Sequence, residues 1–77
     1  MPSLDALKPG DKARIELVQG GGSLMQRLLE MGLLEGETVE VVGFAPLGDP
    51  MEIRLRDYRL SLRRQEAACI TVTVVSG

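Results

Sequence analysis

The chain has no histidine and no tryptophan, and only one cysteine, one phenylalanine and one tyrosine among its 77 residues. Each shortage closes a route. Without histidine there is no imidazole base, no partner to activate a nucleophile and no imidazole metal ligand. One thiol, Cys69, can make neither an internal disulfide nor a structural zinc site. It precedes an apolar alternating run and reads as a small buried hydrophobe. Two aromatics, Phe44 and Tyr58, are too few for a platform on which successive bases stack. No apolar run approaches the ~18 residues of a membrane span. The opening "MPSLDALKPG" has no basic segment leading into an apolar one, so no signal peptide is read and a cytoplasmic protein is expected.

Two weaker suggestions of chemistry also lack their completing residues. Gly20–Gly22 precede a helical pattern, as in a phosphate-binding loop, but the Lys-Ser/Thr of such a loop is missing. Asp49, Glu52 and Asp57 lie in a loop, a strand and a turn, without the dense spacing of a hard-cation site, and read as solvated acids. The sequence therefore predicts no enzyme, no cofactor and no metal site.

What remains is patterning. The length fits one domain, residues 1–77, with a thin core. "SLDAL" suits a single helical turn closed by Pro9-Gly10. Ala13, Ile15 and Leu17 alternate with Lys12, Arg14 and Glu16, which predicts a half-buried strand. After the glycines, Ser23 with Gln26 fits a capping box. Leu24, Leu28 and Met31 then fall on one helical face, and Gly32 stands where a left-handed stop belongs. Val39 and Val41 mark a second strand. Met51, Ile53 and Leu55 alternate with Glu52, Arg54 and Arg56 in a third. Leu60 and Leu62 alternate with Arg59, Ser61 and Arg63 in a fourth, across a tight Asp57-Tyr58 connection. "RRQEAA" suits one helical turn, and Ile70, Val72 and Val74 mark a last strand. Five short strands predict an all-β fold, a small barrel with a short helix inserted after strand 1.

Charge is uneven. The net charge is −2, yet residues 54–64 carry Arg54, Arg56, Arg59, Arg63 and Arg64 against Asp57 alone. A basic strip on an acidic protein suits an acidic partner surface better than a duplex. The alternative use of the Arg54–Arg64 hairpin is to meet RNA phosphates. Pro46 and Pro50 stiffen the loop between strands 2 and 3, Gly48 can take positive φ, and Asp49 can accept a local backbone N–H. That loop reads as a rigid corner and as a binding lip through Leu47 and Asp49. On the helix, Met25 and Leu29 form a second apolar row edged by Arg27 and Glu30, which reads either as part of a wide core-facing stripe with Leu24, Leu28 and Met31 or as a candidate contact surface for a partner or a second copy. The candidate partner-binding residues are thus Met25, Arg27, Leu29, Glu30, Leu47, Asp49, Arg54, Arg56 and Arg63.

Three stretches carry a family likeness. "RLLEMGLLEGETVEV", "APLGDPMEIRL" and "YRLSLRRQEAACITV", with the opening "LDALKPGDKARI", resemble the ferrous iron transport protein A (FeoA) family over nearly the whole chain. The sharpest element is Pro46-Leu47-Gly48-Asp49-Pro50, followed by Leu62-Arg63 and Glu66-Ala67. Glu35 and Asp57 stand where many members place proline and glycine; both are turn positions. The resemblance implies an SH3-like barrel. It also implies a cytoplasmic accessory of the membrane ferrous iron transporter FeoB, binding the transporter's GTPase part and reaching the membrane only through it; no nucleic acid is expected as a partner.

Overall fold

The computed structural model describes residues 2–76, apart from the side chain of Ser76. A 3-10 turn, Leu4–Ala6, leads into β1, Lys12–Val18, and then the helix α1, Gly22–Glu30. β2 spans Thr38–Phe44, β3 Met51–Leu55 and β4 Tyr58–Leu62; the one-turn helix α2, Arg64–Ala67, leads to β5, Ile70–Ser76. The five strands form one antiparallel sheet in the order β4-β3-β2-β1-β5. This is the expected set of elements, with the helix where it was expected.

The distribution of buried residues shows how the sheet is shaped. Every strand sends side chains into the core, among them Ile15, Val41, Ile53, Leu62 and Val72, each almost wholly buried. A flat sheet would need a second layer over all of that face. The one long helix has nine residues and contributes a single fully buried side chain, Leu28. The sheet therefore coils so that its own inner faces make most of the core, as in small barrels. Its two edge strands, β4 and β5, are not hydrogen-bonded to each other; α2 links them.

The departures from simple alternation have local causes. β1 was expected to bury Ala13, Ile15 and Leu17. The β1–β5 register shifts between Ile15 and Leu17, and this bulge turns Leu17 outward to 41% exposure and Val18 inward. Val74 was expected to face inward, but it is 45% exposed at the end of β5 beyond the core. Cys69, expected to be buried, is half-buried, its thiol on the Gln65 carbonyl at 3.5 Å. The Ser23–Gln26 capping box is absent. Gly21 is the residue before the helix, no side chain caps it, and Gln26 instead reaches Glu30 at 3.4 Å. The β3–β4 turn falls at Arg56-Asp57, one residue earlier than expected, because Leu55 pairs with Tyr58. Arg56 then occupies a left-handed conformation, φ 59°.

Gly32 does end the helix region in the left-handed conformation, φ 89°. A side chain there would also meet the Tyr58 hydroxyl, which donates to the Met31 carbonyl at 3.1 Å. Leu24, Met25 and Met31 pack partly buried against the core around Leu28. The second row of the helix is therefore divided: Met25 faces the core, and Leu29 is 44% exposed.

Candidate interaction surface

The loop of residues 45–50 is held from several sides. Ala45 donates its N–H to the Pro50 carbonyl at 2.9 Å, and Gly48, at φ 87°, donates to Ala45 at 2.7 Å. The Asp49–Pro50 peptide bond is cis. Asp49 was expected to close the turn locally. Its carboxylate instead accepts the Arg64 N–H at 3.0 Å, fifteen residues away, and so caps the first turn of α2. The Arg64 side chain completes the tie. It donates to the Gly48 carbonyl and the Asp5 carbonyl, each at 3.3 Å, and its guanidinium lies 5.2 Å from the centre of the Phe44 ring. At the tip of this braced loop Leu47 is 96% exposed.

The arginine strip is less basic than its sequence suggests. Strand pairing sets Glu40 opposite Arg54 and Glu52 beside Arg59, each pair 3.7 Å apart. Arg56 meets Glu37 through two hydrogen bonds, the shorter 2.6 Å, and this contact raises the Arg56 pKa above its ordinary value. Arg54 and Arg56 are thus matched by carboxylates on β2 and just before it, which a linear reading of residues 54–64 does not see. Arg63 has no carboxylate within ion-pair distance among the described residues.

Glu66 is the buried charge of this region, 3% exposed. It is fully engaged: one oxygen accepts the Arg63 N–H at 2.9 Å and the other meets the Arg27 guanidinium at 2.9 Å. Burial of a carboxylate is tolerated when both oxygens are partnered. Through Glu66, Arg27 on α1 and Arg63 at the start of α2 come to one place. With Pro50 and Ser61 they line a cleft of about 230 Å³. Of the residues singled out in the sequence, the cleft brings together Arg27 and Arg63, and Leu47 and Asp49 belong to the loop whose Pro50 lines it. Arg54 and Arg56 lie in their own ion pairs, Met25 against the core, and Leu29 and Glu30 on the exposed side of α1.

Sequence reasoning missed Glu66, Arg64 and Ser61. Glu66 left a signal, an acid three residues after the residue that begins a helical turn, where capping geometry puts an acceptor. Arg64 and Ser61 left none, because their roles depend on chain segments distant in sequence. Among the described residues no group of three His, Cys, Asp or Glu side chains is placed to hold a metal ion.

The FeoA domain family matches residues 3–74. A curated relative, the Fe(2+) transport protein A/Fe(2+) transporter FeoB fusion protein of Porphyromonas gingivalis, is 48% identical over 74 residues. That match takes in 96% of this chain but only 9% of the relative's own length. Among solved structures, a FeoA-like protein of Clostridium acetobutylicum superposes with a TM-score of 0.91 at 32% identity, covering 99% of this chain and 88% of that one. A zinc-complexed FeoA of Stenotrophomonas maltophilia, described as a prokaryotic SH3 domain protein, gives 0.82 at 30% identity, covering 95% and 91%. Fold and likeness together define a small SH3-like β domain linked to ferrous iron transport. Within that class, the chain belongs to the FeoA family.

Proposed function

We propose that this protein is a cytoplasmic accessory of ferrous iron uptake that acts by binding the GTPase part of the membrane transporter FeoB. The observation that carries this is the fused relative, in which a domain 48% identical to this chain shares one polypeptide with the transporter. A domain that shares a polypeptide with a transporter is placed to act on it, and this chain is read in the same way. The geometry supports binding rather than chemistry. A fully exposed leucine on a loop fastened at Asp49, Gly48 and Ala45 is an apolar contact that loses little freedom on docking. The protein contacts the membrane only through this partner. Self-association through Leu29 and Leu47 is a competing use of the same exposed side chains, and RNA binding by the arginine hairpin is disfavoured by its carboxylate partners.

The test is capture of the purified cytoplasmic domain of FeoB, with generic RNA in parallel, each over a salt series. Leu47→Ser is expected to keep the thermal midpoint and to weaken capture of the FeoB domain at least about tenfold, the scale of a central apolar anchor. RNA capture with a steep salt slope and no capture of the FeoB domain would overturn the proposal.

A further inference from the structure

β4 is an edge strand, paired with β3 on one side and with no strand among the described residues on the other. Leu55 and Tyr58 close the two-residue turn and form a hydrogen-bonded pair, so Leu60 and Leu62 also bond to β3. The backbone N–H and C=O of Arg59 and Ser61 then point away from the sheet, and no strand or loop among the described residues pairs with them. Open edge groups of this kind are a template for another strand. The cleft lined by Arg27, Pro50, Ser61, Arg63 and Glu66 meets this edge at Ser61. It holds two guanidiniums and one carboxylate, and that carboxylate is already satisfied by Arg27 and the Arg63 N–H. Arg63 is left with its charge unmatched, on a backbone fixed at both ends: its N–H goes to Glu66 and its carbonyl takes the Glu66 and Ala67 N–H groups.

Resting on the accessory role set out above, we propose that the free edge of β4 is where the transporter docks. An extended acidic segment of the transporter adds alongside β4 as a further strand. Its backbone pairs with Arg59 and Ser61, and one of its carboxylates enters the cleft between Arg63 and Arg27. Main-chain pairing supplies affinity in this mode, and the alternate side chain supplies selectivity. The charge pattern disfavours the simplest competitor. Two copies pairing antiparallel through β4 would set Arg63 of each, which has no carboxylate partner among the described residues, near Arg59 of the other, which Glu52 offsets only at 3.7 Å, and like charges placed opposite each other destabilise a ladder. An acidic strand meets the opposite situation. The lip of residues 45–50 stands at one end of this edge, since Pro50 lines the same cleft, so Leu47 makes its apolar contact beside the added strand.

The experiment uses the full chain, isotopically labelled, with the purified cytoplasmic domain of FeoB, and reads amide exchange and affinity together. In the complex, the Arg59 and Ser61 amides are expected to exchange at least about tenfold more slowly than in the free protein, as newly paired strand amides do. Arg63→Gln is expected to lower affinity at least about tenfold with an unchanged thermal midpoint. Ser61→Pro removes an N–H that faces outward, a place where edge strands tolerate proline, and is expected to have the same effect. A complex that forms with the Arg59 and Ser61 amides unprotected, or that Arg63→Gln leaves at full affinity, overturns the strand-addition proposal while leaving the accessory role standing. Absence of any complex with the unmodified protein overturns both. Protection of the same two amides by generic RNA, with none from the FeoB domain, assigns the edge to nucleic acid and overturns the proposal.

Discussion

Asp49 is the point at which the lip is tied to the rest of the fold, and Asp49→Ala tests that directly. The change removes one acceptor, the carboxylate oxygen 3.0 Å from the Arg64 N–H. That N–H belongs to the first residue of α2, and a first-turn N–H has no intrahelical partner of its own. Loss of a side-chain cap costs about 0.5–2 kcal/mol. The bond is accessible to water, which replaces part of what is lost, so the expected value is about 1 kcal/mol. In a domain of this size that lowers the melting midpoint by about 4–8 °C. Asp49→Asn keeps an acceptor oxygen without the charge and is expected to lose about half as much. The assay is denaturant unfolding of both variants, with an unchanged slope showing that the same surface is still exposed. An Asp49→Ala protein with the original midpoint, or an Asn variant as unstable as the Ala one, would refute the capping role.

Tyr58→Phe deletes the hydroxyl on the Met31 carbonyl and is expected to cost about 0.5–1.5 kcal/mol, read as a lower unfolding midpoint. Arg56→Gly and Arg56→Ala both lose the Glu37 contact, but only glycine relieves the left-handed backbone at this position. The Gly variant is therefore expected to be the more stable of the two in the same assay. The Thr73 hydroxyl, and after it Arg14, hold Glu16 below its ordinary pKa of 4.5. The stability this group supplies is complete above that unfolded-state value and is lost as pH falls through the lower folded value. Thr73→Val is expected to raise the Glu16 titration midpoint in a carboxyl NMR titration and to flatten the acid limb of the stability profile. Glu66→Ala strands the Arg63 N–H and leaves Arg27 unpaired, an expected loss of about 2–4 kcal/mol by denaturant unfolding, with Glu66→Gln losing less.

What the sequence made legible was what depends on near neighbours. The alternation of Val39 and Val41, and of Met51, Ile53 and Leu55, gives strands whose inner residues are buried as expected. The stop at Gly32 and the positive φ of Gly48 follow from glycine's freedom at positions where a turn is needed. Two kinds of feature were hidden. One is the bulge near Glu16, which reverses Leu17 and Val18; an inserted residue changes which face a side chain takes without changing the composition of the run. The other is any contact that needs register or topology. Glu37 finds Arg56 nineteen residues away, Asp49 finds Arg64 fifteen away, and Tyr58 finds Met31 twenty-seven away. A linear count of arginine over residues 54–64 therefore overstated the basic strip, because the carboxylates beside Arg54 and Arg56 come from an earlier part of the chain.

At the lip, stiffness and contact are carried by different residues, which allows them to be separated experimentally. Asp49, Gly48 and Ala45 take part in the bonds that fix the loop among the described residues, whereas Leu47, at 96% exposure, adds almost nothing to the fold. A rigid contact gains affinity because little freedom remains to be lost on binding. Asp49→Ala is then expected to weaken binding of the FeoB domain only moderately, by loosening the loop, and always together with lower stability. Leu47→Ser is expected to weaken binding strongly with stability unchanged. The two changes share one loop, so their effects on binding are expected to be less than additive, since a loosened lip has less to gain from its leucine. Full additivity in that double-mutant comparison would mean that Asp49 touches the partner itself, and that the brace on α2 is incidental to binding.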